Sequence, residues 1–184
     1  LRILSGLYEP SEGHVAIDGQ PLAGHGPVAA RRAGIAMIHQ ELQQIPELDV
    51  AQNIFLGQAR VLSYANRRKM QADARAILDM LAPALSETAK VESLGMAERQ
   101  IVEIARALAR GGRIIAFDEP TSSLTPSERD NLFTIIRSLR KSGKAIVYIS
   151  HRMSEIHEIA DRVTVLRDGQ VVASGPIADF TAEG

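Results

Sequence analysis

Three stretches of the chain are apolar at every position and have the length of a β-strand. They run from Ile35 to Ile38, from Ile114 to Phe117 and from Ala145 to Ile149. Apolar runs without alternation are typical of strands that are buried on both faces of a parallel sheet. The pattern therefore predicts an α/β fold with a parallel sheet at its core.

A helix is predicted between the second and the third of these runs. Thr125 is a suitable N-cap, Pro126 takes the first helical position and Glu128 completes a capping box. One apolar stripe follows at helical spacing, made of Leu132, Ile135, Ile136 and Leu139. Ser142 and Gly143 end the helix. A strand, a helix and a strand in this order are expected to form a right-handed crossover.

The rest of the pattern divides into hairpins and helices. Asp18-Gly19 and Asp168-Gly169 each follow a strand-like run, and such pairs predict tight hairpins, hence an antiparallel β portion. Between Val50 and Arg110 the periodicity is helical, and it is strongest from Asp73 to Leu81 and from Glu98 to Ala109. We predict one domain over residues 1–184, with a core of residues 1–40 and 111–184 and an inserted helical subdomain of residues 41–110.

Composition and charge narrow the class of protein. The chain has 184 residues, 45% hydrophobic and 23% charged, which is typical of a globular domain. Its 21 basic and 22 acidic residues leave a net charge of −1, which argues against a nucleic-acid partner. It has no cysteine and no apolar run long enough to span a bilayer. The first residue is not Met, and Leu1 to Leu7 read as the end of a helix, so we expect an N-terminally incomplete domain.

Two adjacent carboxylates, Asp118 and Glu119, follow the second apolar run. The carboxyl ends of parallel strands are where open α/β sheets bind their ligands. The first carboxylate is suited to hold Mg²⁺, usually through water, and the second to accept a proton from an attacking water. The alternative is a carboxylate pair that only opens a turn before Pro120.

His151 follows the third apolar run. By itself such a histidine is more often a turn or core residue. The predicted crossover changes this, because its two strands should end at the same edge of the sheet. There His151 would be able to stabilise charge on a terminal phosphate.

Several segments together resemble those of ATP-binding cassette (ABC) ATPases. Residues 118–124 and His151 are similar to the Walker B segment, the D-loop and the switch histidine of that family. Residues 38–42 are similar to its Q-loop, and residues 97–108 to its signature helix. Residues 34–42, 50–57 and 147–153 most resemble the first cassette of the two-cassette ATPases of bacterial monosaccharide importers, of the arabinose, xylose or ribose type.

The resemblance implies roles for individual residues. Asp118 would support Mg²⁺, Glu119 would act as the base, and His151 would contact the γ-phosphate of ATP. Gln40 would reach Mg²⁺ and the attacking water, although a surface glutamine at a strand end is the alternative. The other expected nucleotide contacts are Leu94, Gly95, Met96, Ala97, Glu98 and Ser123.

Two departures from the family pattern are visible. The phosphate-binding loop Gly-x-x-x-x-Gly-Lys-Ser/Thr does not occur in the 184 residues, so this chain alone is expected to bind ATP very weakly. The signature, usually Leu-Ser-Gly-Gly-Gln, is here Leu-Gly-Met-Ala-Glu at residues 94–98. It lacks the hydroxyl and carries side chains where glycines allow close approach, so one of two composite sites is expected to be impaired.

The resemblance implies an ATP-hydrolysing subunit that energises import of a monosaccharide. Its partners would be ATP, a second cassette and membrane permease subunits, and its place the cytoplasmic face of the inner membrane. Two alternatives stay open. One is an ABC ATPase of repair or translation, and the other is an inactive remnant that does not bind ATP.

Overall fold

The computed structural model describes residues 1–22, 24, 26–39, 43–57 and 67–180. The strands are β1 (Ala16–Ile17), β2 (Gln20–Pro21), β3 (Ile35–Ile38), β4 (Ile114–Asp118), β5 (Ala145–Ile149), β6 (Arg162–Arg167) and β7 (Gln170–Pro176). The helices are α1 (Gly26–Arg32), α2 (Val50–Ile54), α3 (Arg67–Leu81), α4 (Met96–Ala109), α5 (Pro126–Lys141) and α6 (Met153–Ile159).

The core is a parallel sheet in the order β3-β4-β5, as the three apolar runs predict. β4 lies in the middle, and its Ile115, Ala116 and Phe117 are completely buried. Phe117 is level with Ile38 of β3, and Asp118 is level with Ile149 of β5. The three strands run in the same direction, so their carboxyl ends meet at one edge of the sheet.

The expectation that all three runs are buried on both faces is wrong for β5. Val147 and Ile149 are 36% and 37% exposed, whereas Ile146 and Tyr148 pack against the hydrophobic core. The physical reason is that the two faces of β5 are covered unequally. Helix α5 covers the face that carries Tyr148, whose ring meets Phe133 at 6.1 Å, whereas the face of Val147 and Ile149 stays partly open to solvent.

The local signals of α5 and of the hairpins are confirmed. Thr125 is the N-cap of α5, and the Glu128 carboxylate accepts the Thr125 backbone N–H at 2.8 Å. β1 pairs with β2, and β6 pairs with β7, both antiparallel. Asp18 and Asp168 each have φ 52°, and the glycines after them also have positive φ. Asp-Gly fits because both central residues of such a turn need left-handed backbone.

Leu1 to Leu7 form turns. The backbone N–H of Ser5 donates to the Leu1 carbonyl at 2.9 Å, which is one bond of helical type. The Leu7 N–H donates to the Arg2 carbonyl at 2.9 Å, and Gly6 has φ 75°, which is how a helix ends at a glycine, as the sequence predicts.

Helices α2, α3 and α4 pack together between β3 and β4 in the chain, as the helical periodicity predicts. Their shared core includes Ile54, Leu78 and Ile104, all completely buried. The structure thus has the predicted α/β class with a helical insertion and antiparallel strands. The exact division into a core and a helical subdomain stays a prediction. No helix in the described ranges has both the length and the apolar character needed to cross a bilayer.

One buried amide holds the segment that leads into α2. The Asn53 side chain is completely buried, and its Oδ1 accepts the Ile45 backbone N–H at 2.9 Å. Its Nδ2 donates to the Ile45 carbonyl at 3.0 Å and to the Asp49 carbonyl at 3.1 Å. A side chain in this position replaces the backbone pairing that an irregular segment lacks.

We predict that Asn53→Ala lowers the free energy of unfolding by about 2–4 kcal/mol, because it removes three hydrogen bonds of a buried amide and leaves the Ile45 N–H without its acceptor. The exposed Asn131 of α5 provides a matched control. Asn131→Ala should change stability by less than about 0.5 kcal/mol. Urea denaturation of the three proteins measures both values, and an equal effect of the two substitutions would contradict the role of Asn53.

Candidate active site

Glu119 is fixed by an unusual backbone conformation at the end of β4. Its φ is +45°, and the other described non-glycine residues with positive φ are Asp18 and Asp168 of the hairpin turns. A left-handed backbone at such a residue costs about 1–2 kcal/mol. The Glu119 N–H donates to the Ile149 carbonyl at 3.1 Å, which ties the start of the loop to β5. Strained backbone that the surroundings hold in place is frequent at functional sites.

His151 lies beside Glu119. The distance between His151 Nδ1 and Glu119 Oε2 is 3.3 Å, with side-chain exposures of 69% and 38%. The structure thus brings together two side chains that are 32 residues apart in sequence (151 − 119), as the crossover predicts. Both are open to solvent, so an arriving substrate has access to them.

Asp118 borders a cavity of about 590 Å³. The cavity is also lined by Ile35, Ala36 and Met37 of β3, and its charged residues include Arg31, Glu103, Arg106 and Arg110. Among the described residues, His, Asp and Glu form no group of three or more that could hold a metal ion. The half-buried Asp118 carboxylate is a hard oxygen donor that fits Mg²⁺, which takes one or two protein carboxylates and completes its shell with phosphate and water.

A buried carboxylate lies beneath the exposed pair. Glu155 of α6 is 1% exposed, and its Oε1 accepts the Thr121 hydroxyl at 2.8 Å. Its Oε2 accepts the hydroxyls of Tyr148 and Ser150, each at 2.9 Å. Burial tends to raise the pKa of the Glu155 carboxyl, but the three hydroxyl donors and the nearby Arg152 guanidinium together outweigh burial and lower that pKa. Burial also raises the pKa of the Tyr148 phenol, and its bond to Glu155 adds to the rise.

A second buried charge lies in the cavity wall on α4. Arg106 donates to the carbonyls of Asn53 at 3.0 Å and Gln43 at 2.7 Å, and it pairs with Glu103 at 3.2 Å. Burial raises the pKa of Glu103 more than Arg106 lowers it. Burial lowers the pKa of the Arg106 guanidinium, because in both residues it disfavours the charged form. Glu103 Oε1 and one Arg106 terminal nitrogen have no hydrogen-bond partner. This pair is therefore under-satisfied, unlike Glu155.

The five signature residues lie at the start of α4, away from Asp118. Leu94 follows a 3₁₀ turn, Gly95 is the N-cap, and the Glu98 carboxylate accepts the Gly95 N–H at 2.9 Å. Met96 is 45% exposed, and Ala97 faces the start of α5. None of these five described residues lines the cavity that Asp118 borders. A negative side chain thus occupies the start of the helix, where anions otherwise bind.

Two further nucleotide contacts were expected, Ser123 and Gln40. Ser123 is exposed in the turn that follows Glu119 and Pro120. Gln40 lies outside the described residues. The roles predicted for the site residues stay predictions, while Asp118, Glu119 and His151 lie at one edge of the sheet.

Comparison with known proteins places this arrangement in a family. Residues 1–122 match the model of the ABC transporter family. The chain belongs to this family. It is 46% identical over 177 residues to the arabinose import ATP-binding protein AraG of Paraburkholderia xenovorans (strain LB400), which covers 96% of this chain and 34% of that protein. It is 46% identical over 177 residues to the ribose import ATP-binding protein RbsA 2 of Escherichia coli O157:H7, with coverages of 95% and 35%.

The resemblance to sugar-import ATP-binding proteins is thereby confirmed, and the chain spans about a third of the length of these ABC relatives. Solved structures agree on the fold. A nucleotide-free ATP-binding cassette from an ABC transporter superposes with a TM-score of 0.80 at 23% identity, over 95% of this chain and 74% of that one. The cbiO1 protein of Clostridium perfringens, part of the cbiONQ transporter complex, gives 0.82 at 18% identity, over 97% and 71%.

Sequence reasoning missed the buried carboxylate. Glu155 lies on a short helix whose polar residues otherwise read as a solvated face, and no motif contains it. A signal was available in part, because hydroxyl residues cluster at the two strand ends: Thr121, Tyr148 and Ser150. Their convergence on one carboxylate depends on how α6 packs, which local periodicity does not encode.

The two buried glutamates should give opposite pH dependences of stability. The pKa of Glu155 is lowered on folding, so its stabilisation is present above the unfolded pKa of about 4.3 and lost as the pH falls further. The pKa of Glu103 is raised, so its contribution is complete below about pH 4.3 and lost as the pH rises through the folded pKa. Relative to Glu155→Gln, the wild type should weaken on acidification; relative to Glu103→Gln, it should weaken as the pH rises. Urea titrations between pH 3.5 and 8 measure both, and parallel trends would contradict the assignment.

Proposed function

We propose that this chain is the hydrolytic part of an ATP-binding subunit that energises sugar import through a membrane permease. The observation that carries the proposal is the meeting of Asp118, Glu119 and His151 at one edge of the sheet in an ABC family fold. A carboxylate suited to Mg²⁺, a second one suited to accept a proton and an imidazole are the groups that ATP hydrolysis uses.

Each residue has a proposed part in this reaction. Asp118 holds Mg²⁺, which would neutralise charge on the phosphates when bound. Glu119 orients the attacking water and accepts its proton, since its carboxylate points out of the loop toward solvent. His151 stabilises the γ-phosphate from the neighbouring strand end, and Gln40 completes the contacts to Mg²⁺ and water.

We infer the transported substrate and the protein partners from the related import proteins. Proteins named for arabinose and ribose import match nearly the whole chain, which supports a monosaccharide as the transported substrate. The helical insertion of α2, α3 and α4 would offer the surface for the permease, and a second cassette would supply the opposing half of each ATP site. The place would then be the cytoplasmic face of the membrane. We expect no nucleic-acid partner because basic and acidic residues balance.

A second candidate is a cassette that no longer binds ATP. It is favoured by the signature residues, where the Glu98 carboxylate already occupies the Gly95 N–H. Such a chain would contribute contacts to a partner cassette without hydrolysing nucleotide.

Glu119→Gln tests the proposed base. In a chain with a Gly-x-x-x-x-Gly-Lys-Ser/Thr loop placed before Leu1, this substitution should lower kcat for phosphate release by roughly 10²–10⁴-fold. ATP affinity should remain, because the amide keeps the shape of the side chain. Glu12→Gln is the control, because Glu12 is exposed and lies far from Glu119 in the sequence. Turnover that survives Glu119→Gln would refute the assignment of the base.

Binding of labelled ATP, measured for the 184-residue chain and for the loop-restored chain, separates the two candidates. Without backbone N–H groups that surround the phosphates, we expect weak binding with a dissociation constant of about 1 mM or above, the range of a few isolated contacts. Equilibrium dialysis with and without Mg²⁺ measures it. Tight, Mg²⁺-dependent binding would mean that the missing loop is not essential. Failure of the loop-restored chain to bind would support the inactive cassette.

A further inference from the structure

We propose that Glu155 is a positioning residue for the Glu119–His151 pair. Its buried carboxylate joins the loop after β4 to the loop after β5 and so fixes the relative placement of the two exposed side chains. The kinetic part of this inference rests on the proposed function, whereas its structural part can be measured without any nucleotide.

The exposed pair is not able to fix its own geometry. Glu119 and His151 lie 3.3 Å apart, but their side chains are 38% and 69% exposed. An ion pair at such exposure contributes little, because water screens it and both side chains lose rotamer freedom. Whatever holds the two residues in place must therefore act on their backbones.

Glu155 is hydrogen-bonded to a residue close to each of the two in sequence. Thr121, whose hydroxyl donates to Glu155 Oε1 at 2.8 Å, lies two residues after Glu119. Ser150, whose hydroxyl donates to Glu155 Oε2 at 2.9 Å, lies immediately before His151. One carboxylate with both oxygens occupied thus spans the two loops. Hydrogen bonds to an ionised acceptor in a buried site are stronger than those between neutral groups.

The loop after β5 is held on both sides of His151. The Ser150 hydroxyl oxygen also accepts the Arg152 backbone N–H at 3.0 Å, and an Arg152 guanidinium nitrogen lies 3.4 Å from Glu155 Oε1. The residues on either side of His151 are thereby connected to the same carboxylate. This leaves the imidazole exposed while its backbone is fixed.

The loop after β4 is held in a similar way. The Glu119 N–H donates to the Ile149 carbonyl at 3.1 Å, and Gln100 Nε2 of α4 donates to the Pro120 carbonyl at 3.0 Å. Thr121 is 3% exposed, so its bond to Glu155 is protected from water. The strained backbone at Glu119 therefore lies between two anchors, one to β5 and one to Glu155.

Tyr148 provides a matched control. Its hydroxyl donates to the same Glu155 oxygen as Ser150, at 2.9 Å, but Tyr148 is inside β5 and belongs to neither loop. Tyr148→Phe removes one donor from the carboxylate and a contact of the phenol with Thr121, and it leaves the bonds of Thr121 and Ser150 to Glu155 in place. A role confined to general stability predicts similar effects for Tyr148→Phe, Thr121→Val and Ser150→Ala.

The structural arm uses hydrogen exchange in the 184-residue chain. The Glu119 amide should exchange at least about 10-fold faster in Thr121→Val and in Glu155→Gln, because local opening of the loop no longer breaks a bond to a buried charge. In Tyr148→Phe it should exchange at the wild-type rate. Thr121→Ser keeps the hydroxyl and should restore protection. Protection that is unchanged in Thr121→Val would overturn the proposal, and so would equal loss in Tyr148→Phe.

The kinetic arm uses the chain with a restored phosphate-binding loop. Thr121→Val and Ser150→Ala should each lower kcat by roughly 10–100-fold, since small misplacements of reacting groups have effects of this size. KM for ATP should change by less than about 2-fold, because ground-state binding is left intact. In a Glu155→Gln background neither substitution should add a further effect, which a double-mutant cycle measures.

The two arms distinguish the possible failures. Faster exchange with an unchanged kcat would overturn the positioning role, because Glu155 would then act on stability alone. If the loop-restored wild type has no ATPase activity, the proposed function fails, and the exchange of the Glu119 amide still decides whether Glu155 joins the loops. If Glu155→Gln does not fold, Thr121→Val and Ser150→Ala supply the same comparison, since each removes a single donor.

Discussion

The positions of Asp118, Glu119 and His151 depend on the pairing of β4 with a strand on each side. A completely buried strand needs partners for its backbone groups along both edges, and β3 and β5 supply them. The register that results sets Asp118 level with Ile149, and the chain leaves the sheet at both places. A slip by one residue would turn every side chain of β4 to the opposite face and separate the acidic residues from the histidine.

Two buried glutamates differ in how their carboxylates are hydrogen-bonded and in the direction of their pKa shifts. Glu155 has hydroxyl donors on both oxygens, so its ionised form is stabilised even though it is buried. Glu103 has a cationic partner but keeps one oxygen without a donor, and burial dominates its pKa. A buried carboxylate with donors on both oxygens is thus stabilised better in its ionised form than one whose hydrogen bonding is incomplete. The first arrangement lies at the candidate site and the second lies in the wall of the cavity.

Sequence patterns predicted the parts of this structure that depend on local chemistry. The capping box of Thr125 and Glu128, the Asp-Gly turns and the strand runs each follow from a few neighbouring residues, and each was found where expected. The position of Asp118, Glu119 and His151 also followed, because a crossover constrains where two strands end. The exposed face of β5 was not predicted, since an apolar run has the same appearance whether or not another layer covers it. Glu155 and Asn53 were missed because their roles come from convergence of distant segments on one side chain.

Two requirements conflict at the position of Glu119: the left-handed backbone favours one kind of residue, and the proposed chemistry needs another. Glycine or asparagine would adopt a φ of +45° with less strain, whereas a β-branched residue would adopt it poorly. The residue that suits the backbone is therefore not the residue that suits the proposed chemistry. Among chains of this fold, a glycine or asparagine at this position would indicate that stability has been favoured after the need for a carboxylate was lost, and a glutamate would indicate that the need persists. The residue type at this one position thus indicates whether a carboxylate is still required at the site.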